Sequence, residues 1–165
     1  MGQVIVLIAA FAVMEPVAYL AHRFVMHGRR GGGWHVGHHQ VRRRRFEAND
    51  LYPVVMAGFT VVVIAVGVTL PGWSAAAWIG AGITLYGAAY LFVHDLYIHR
   101  RIARFTMVIG PLEAVREAHR IHHLWGGEPY GFLFPVVPAD LRVRASTVSR
   151  DPLRPDLGLL TTDVR

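Results

Sequence analysis

Residues 51–93 read LYPVVMAGFTVVVIAVGVTL-PG-WSAAAWIGAGITLYGAAYLFV, two uncharged apolar runs joined by Pro71-Gly72. Each run has about the 20 residues that an α-helix needs to cross a ~30 Å hydrocarbon core. Because Pro-Gly is a strong turn signal, we expect a hairpin of two membrane-spanning helices, at residues 51–70 and 73–93. The second run also carries small residues at helical spacing, where another helix can approach closely: Gly80, Thr84 and Ala88.

A third apolar segment lies near the start of the chain, at residues 4–21, and is interrupted only by Glu15. A secretory signal peptide is the alternative interpretation, but the segment lacks a basic start and a small-residue cleavage pattern. We therefore expect a retained membrane span. Since a carboxylate inside a span is costly, Glu15 should face protein or a polar pocket. The overall composition, 53% apolar and 17% charged, agrees with a membrane protein.

The basic residues predict the orientation of the three spans. The chain has no lysine, so all 17 basic residues are arginine, and most lie between the first two spans or after the third. The positive-inside rule then places residues 28–50 and everything after residue 93 in the cytoplasm. A nucleic-acid interface is disfavoured, because the run at residues 42–45 has no interleaved aromatics and adjoins a membrane segment. The absence of cysteine excludes disulfides and thiolate ligands.

All ten histidines fall in these two cytoplasmic segments, in four clusters. Each of two clusters has the spacing i, i+3, i+4, which places three imidazoles on one face of an α-helix. The second of them lies in a predicted helix at residues 111–125, which Pro111 opens and Gly126-Gly127 ends. The other two clusters are i, i+5 pairs, about 140° apart on an α-helix, so they must flank a site or lie where the helix loosens. The clusters are His22/His27, His35/His38/His39, His94/His99 and His119/His122/His123.

Imidazole binds zinc, copper, iron and nickel, and ten imidazoles are too many for one ion but suit two. No Glu-x-x-His pair occurs, which excludes the carboxylate-bridged di-iron site of soluble bundles. Four nearby side chains are candidates to orient the histidine N–H groups: Asp95, Glu117, Asn49 and Asp50. The predicted fold is an all-α integral membrane bundle whose cytoplasmic histidine-rich cap holds a dinuclear metal site. Residues 1–135 form the domain, and residues 136–165 are expected to be a surface loop and flexible tail.

A metal site at the edge of a bilayer suggests a lipid-soluble substrate that reaches it from the membrane. Oxygen chemistry on an unactivated C–H bond needs a redox-active metal, and zinc has no redox chemistry. Iron is therefore the expected metal.

Six motifs resemble the integral-membrane fatty acid hydroxylase superfamily, and in particular its bacterial β-carotene 3-hydroxylases. They are HRFVMH (22–27), WHVGHH (34–39), FEANDLY (46–52), VHDLYIH (93–99), AHRIHH (118–123) and YGFLF (130–134). The resemblance implies a di-iron monooxygenase of the bacterial inner membrane with all ten histidines as metal ligands. It implies O2 as co-substrate, electrons from reduced ferredoxin and its reductase, and hydroxylation of C3 on the β-ionone rings of β-carotene, giving β-cryptoxanthin and zeaxanthin. Larger members have four spans, so three to four helices are expected.

The long carotenoid would lie in a groove along the second and third spans, with candidate wall residues Phe59, Tyr86, Tyr90 and Phe92. Several alternatives remain open at the level of sequence. A carotenoid ketolase, a fatty acid or sterol hydroxylase and a desaturase share the metal chemistry. A metal transporter, a metal sensor and a zinc hydrolase are the more distant alternatives. A transport path is disfavoured because the second and third spans carry no charge.

Overall fold

The computed structural model describes residues 1–29, 32–40, 46–101 and 107–153, and every regular element in these ranges is helical. The arginine run at residues 42–45 lies outside the described residues. Short 3-10 turns at Val36–His39 and Ala48–Asp50 accompany the helices, and the all-α prediction is confirmed. The α-helices are α1 (Gly2–Leu20), α2 (Gly32–His35), α3 (Leu51–Thr69), α4 (Ser74–Tyr90), α5 (Gly110–Trp125) and α6 (Ala139–Ser146).

Three continuous helical segments are long and apolar enough to cross a membrane: Gly2–Met26, Ala48–Thr69 and Ser74–Ile98. Three helices with the length and apolar character of a membrane span are thus present, as the sequence predicted. The first and third extend beyond their α-helices because each continues as a π-helix. We call these the first π-turn (Ala21–Met26) and the second π-turn (Leu91–Ile98).

Helix α4 packs against both α1 and α3, so the third span is the centre of the bundle. Glycines make these approaches close. Gly80, in the predicted stripe, meets the side chain of Ile64 on α3. Gly82, which the stripe did not include, faces the backbone of Leu7 on α1. The helix therefore uses two small-residue faces rather than one.

The close approach at Gly82 predicts an opposite response at two glycines of α4. A Cβ at Gly82 would lie 2.5 Å from the carbonyl oxygen of Leu7, whereas one at Gly87 would meet nothing within 4 Å. We expect Gly82→Ala to destabilise the protein by about 1–3 kcal/mol through overpacking. Gly87→Ala should stabilise it by roughly 0.5–1 kcal/mol, because alanine is the better helix former. Thermal unfolding of both variants in detergent checks this, and equal Tm shifts would contradict the packing.

The region after residue 135 differs from the expected loop and tail, because α6 forms at Ala139–Ser146. Pro138 precedes this helix and Asp140 lies in its first turn, where negative charge is favourable. Arg120 on α5 donates hydrogen bonds to the carbonyls of Ala145, Val148 and Arg150. The Pro, Arg and Asp content indicated a flexible segment, but this tertiary contact orders it. Residues 154–165 lie outside the described residues.

Candidate metal centre

The two π-turns bring the i, i+5 histidine pairs onto common faces. In a π-helix the hydrogen bond runs from residue i+5 to residue i. The N–H of His27 donates to the carbonyl of His22 at 3.0 Å, and the N–H of His99 to that of His94 at 2.9 Å. The paired ring centroids are 5.1 and 4.6 Å apart. The first and third spans therefore loosen at their ends, which is one of the two arrangements predicted for the i, i+5 histidine pairs. Both pairs point inward.

Nine of the ten histidines form two groups whose potential ligand atoms lie within 4.8 Å of one another inside each group. The first, the five-histidine group, is His22, His27, His35, His39 and His122. The second, the four-histidine group, is His38, His99, His119 and His123. The structure thus gathers residues from all four sequence clusters at one end of the bundle.

Each triplet is divided between the two groups, which corrects the expectation that its three imidazoles point one way. His119 and His123 belong to the four-histidine group, while His122 belongs to the five-histidine group. Likewise His35 and His39 separate from His38. On an α-helix, position i+4 lies about 40° to one side of position i, and position i+3 lies about 60° to the other side, so i+3 and i+4 are about 100° apart. One triplet can therefore serve two adjacent centres.

His94 belongs to neither group but lies beside the four-histidine group. Its ring centroid is 4.6 Å from that of His99 and 4.7 Å from that of His119. Its Nδ1 donates to the Asp95 carboxylate at 2.8 Å. His94 remains a predicted ligand, but it is the one histidine of the ten that lies outside both groups.

Five rings are held from outside by acceptors that bind their Nδ1–H groups. An outer acceptor fixes the tautomer and leaves the Nε2 lone pair free to bind a metal. The donor–acceptor pairs are His22 to Tyr130 O (2.9 Å), His122 to Gly127 O (2.6 Å), His35 to Asn49 Oδ1 (2.7 Å), His38 to Glu47 Oε2 (3.2 Å) and His94 to Asp95 Oδ1 (2.8 Å).

The four predicted orienting residues differ in their positions. Asn49 and Asp95 lie against histidine rings, as the pairs above show. Glu117 instead forms an ion pair with Arg120 at 2.7 Å, because its side chain leaves α5 on another face than the ligands. Asp50 accepts the backbone N–H of Glu47 and pairs with Arg101.

The sequence places Glu47 near the site, but neither Glu47 nor the two carbonyl acceptors were among the predicted orienting groups. Glu47 and Asp50 form a reciprocal capping box at the start of the second span, and such a box is a recognisable signal. A backbone carbonyl carries no signal in the sequence, so Tyr130 and Gly127 required the structure.

Arg101 connects two of these outer carboxylates. Its guanidinium binds both oxygens of Asp50, at 2.5 and 2.6 Å, and lies 3.4 Å from Asp95. Asp95 supports His94, while Asp50 is bonded to the residue that supports His38. The arginine thus holds the carboxylates behind two rings in place.

Burial keeps the imidazoles in the neutral form that binds metals. It lowers the pKa of His35 and His122 to about 3 and that of His39 to about 2. Burial also holds the pKa of His99, His119 and His123 well below the usual value. At neutral pH these rings need lose no proton before coordinating an ion.

The spacing of the Nε2 atoms fits ion binding. Two nitrogens at right angles around an ion about 2.1 Å away are roughly 3 Å apart. The Nε2–Nε2 distances are 3.2 Å for His22–His35, 3.1 Å for His27–His122, 3.0 Å for His35–His39 and 2.9 Å for His99–His119.

Two buried nitrogens in the four-histidine group also fit ion binding. Within the described part of the chain, the Nε2 atoms of His38 and His123 have no hydrogen-bond partner. Buried polar atoms are normally paired, so an unpaired one needs an explanation such as an ion. The residues of both groups therefore fit bound metal ions.

The candidate groove residues fall in two places. The Tyr90 ring stacks on His94, with centroids 4.7 Å apart, and Tyr86 is buried one helical turn earlier. Phe59 on α3 and Phe92 in the second π-turn are exposed on the bundle surface. Tyr90 thus contacts a histidine ring and Tyr86 donates a hydrogen bond to Glu15, while the groove itself stays a prediction.

A family model described as fatty acid hydroxylase matches residues 7–140. The chain belongs to the fatty acid hydroxylase family, a class that agrees with the membrane bundle and its histidine centre. Within this family the chain resembles proteins that act on a carotenoid. No solved structure shows a significant match.

Three bacterial relatives are named beta-carotene hydroxylase. The protein from Pantoea ananas is 44% identical over 126 residues, which cover 73% of this chain and 70% of that protein. The protein from Pseudescherichia vulneris is 40% identical over 143 residues, or 84% of this chain and 80% of that protein. The one from Paracoccus sp. (strain PC1) is 37% identical over 139 residues, or 81% and 85%.

Proposed function

We propose that this protein is a membrane monooxygenase that hydroxylates C3 of the β-ionone rings of β-carotene, giving β-cryptoxanthin and then zeaxanthin. The observation that carries the proposal is the pair of histidine groups at the end of a three-span bundle. The bacterial relatives named beta-carotene hydroxylase support the substrate.

The five-histidine group would hold one iron ion and the four-histidine group, with His94 beside it, the other. Iron supplies the redox chemistry with O2 that hydroxylation of an unactivated C–H bond requires. The chain contributes ligand orientation, through the acceptors of the Nδ1–H groups, and neutral rings that need no deprotonation. Tyr90 and the apolar ends of the spans provide the surface on which an apolar ring can approach.

The electrons would come from a reduced ferredoxin and its reductase. The positive-inside rule supports a bacterial inner membrane location with the histidine groups facing the cytoplasm, where such a donor is found. The substrate would reach the same groups from within the bilayer. The electron donor and the substrate would therefore approach the histidine groups from different sides.

Expression in bacteria that accumulate β-carotene tests this function through their pigments. We expect zeaxanthin, with β-cryptoxanthin as the intermediate. Canthaxanthin would indicate a ketolase instead, and unchanged β-carotene would exclude both activities. Metal analysis of the purified protein should give iron near two ions per chain, whereas a transporter, a sensor or a zinc hydrolase requires no such iron pair.

A further inference from the structure

The carboxylate of Glu15, inside the first apolar span, is bound by a loop that follows α5. It accepts the backbone N–H groups of Phe132, Leu133 and Phe134 at 2.9, 3.1 and 3.1 Å. The Tyr86 hydroxyl on α4 donates to the same carboxylate at 2.7 Å. Glu15 thus accepts hydrogen bonds from four donors and faces protein, as the sequence predicted.

The carboxylate that binds the loop lies on the membrane side of the histidines. Glu15 precedes His22 by seven residues, about 10 Å along a helix. Leu133 packs against the cluster of Val93, Tyr97 and Ile98 at the end of the third span. Residues 132–134 therefore reach from the level of the histidines on the third span to Glu15, which lies deeper, within the apolar part of the first span.

Backbone N–H groups at that level cannot be left unpaired, since lipid offers them no acceptor. The three consecutive N–H groups of residues 132–134, which lie outside any helix, all donate to the Glu15 carboxylate. Gly131 allows this approach, because an added Cβ would lie 3.0 Å from Glu15 Oε1 and 3.0 Å from Pro135 Cα. We propose that residues 131–134 form a re-entrant loop held in the membrane by Glu15, and that Phe132 on this loop is the wall against which the terminal ring of the substrate rests.

Phe132 is the side chain that this loop presents to the histidines. Its ring stacks on His22 of the five-histidine group, with centroids 4.6 Å apart and planes at 16°. Its edge meets Tyr90 at 5.0 Å, and Tyr90 stacks on His94 beside the four-histidine group. An apolar ring arriving from the bilayer therefore meets Phe132 and Tyr90 together. This part of the inference rests on the proposed function, whereas the loop itself does not.

The natural absence of cysteine allows the loop to be tested directly by labelling. Phe134 and Val143 are 67% and 70% exposed, but Val143 lies on α6, outside the candidate spans. In membrane fragments open on both faces, a charged maleimide should label Val143→Cys at least tenfold faster than Phe134→Cys. Denaturation in SDS should equalise the two. Equal labelling in intact membranes would overturn the re-entrant loop.

The role of Glu15 is tested by combining Phe134→Cys with changes of the carboxylate. Glu15→Ala should raise labelling of the cysteine towards the Val143→Cys rate. Glu15→Gln, which keeps one acceptor oxygen, should raise it less. Labelling that stays low in Glu15→Ala would overturn the assignment of Glu15 as the residue that holds the loop.

The wall role is tested with Phe132→Leu against Phe46→Leu, because Phe46 is a phenylalanine that is 79% exposed. Phe132→Leu should raise the KM for β-carotene about tenfold and release products hydroxylated at neighbouring ring carbons, with iron content unchanged. Phe46→Leu should alter neither. An unchanged KM and product pattern in Phe132→Leu would overturn the wall. If the wild-type protein leaves β-carotene unchanged, the proposed function fails, while the labelling result stands independently.

Discussion

Replacing His122 with alanine is expected to empty one half of the metal centre and abolish turnover. His122 is fully buried, its Nε2 lies 3.1 Å from that of His27, and its Nδ1 is held by the Gly127 carbonyl. Removal of an outer hydrogen-bond partner typically costs about 10–100-fold in metal affinity or activity, so removal of a ligand should cost more. Metal content should fall from about two ions per chain towards one.

His94→Ala is the comparison for this experiment, because His94 is a buried predicted ligand that lies outside both groups. We expect it to retain more metal than His122→Ala. His119→Ala should behave like His122→Ala but empty the four-histidine group. Metal content is measured by elemental analysis after gentle purification, with turnover measured on the same samples. Full metal content and full turnover in His122→Ala would contradict the assignment of the five-histidine group.

Replacing Arg101 with leucine is expected to weaken both the fold and the four-histidine group. The Arg101 side chain is 7% exposed, and it pairs with Asp50 and Asp95. Breaking a buried pair by removing one partner costs about 3–5 kcal/mol, because a charge remains uncompensated. Through Asp95 and Glu47 the same change should loosen His94 and His38, and we expect metal affinity to fall by roughly 10–100-fold.

Arg116→Leu separates these two effects. Arg116 also pairs with two carboxylates, but these are Glu113 and Asp151, not the carboxylates that support His38 and His94. It should lower thermal stability while leaving metal affinity close to that of the unchanged protein. Thermal unfolding and competition with a chelator measure the two quantities. Equal metal affinity in the two variants would remove Arg101 from the support of the centre.

The sequence was sufficient for the spans and for the gathering of the histidines. Long apolar runs have few alternatives to a membrane helix, and the arginines place the ends of the spans without reference to the histidines. The end of α5 was also predictable, because Gly126 adopts a left-handed φ of 65° that ends the helix. These features depend on local composition.

The division of the histidines could not be predicted, since it depends on the positions of the helices relative to one another. The i+3 residue of each triplet has a second set of rings within reach only after α5 and the segment around His38 have packed. The backbone bonds from residues 132–134 to Glu15 likewise join residues more than a hundred positions apart. The sequence indicated that Glu15 needed a partner, but not that three backbone amides supply it.

With an ion bound, the π-turns would couple the histidine groups to the length of the spans. If Ala21–Met26 closed as an α-helix, His22 and His27 would return to about 140° apart and could no longer bind one ion from the same side. An ion bound by both rings therefore favours the π form, by the general linkage between binding and conformation. A π-helix contains more residues per turn and is shorter than an α-helix of the same sequence. Metal occupancy and the hydrophobic length of the span thus become linked quantities, and membrane thickness should influence how tightly the centre retains its ions.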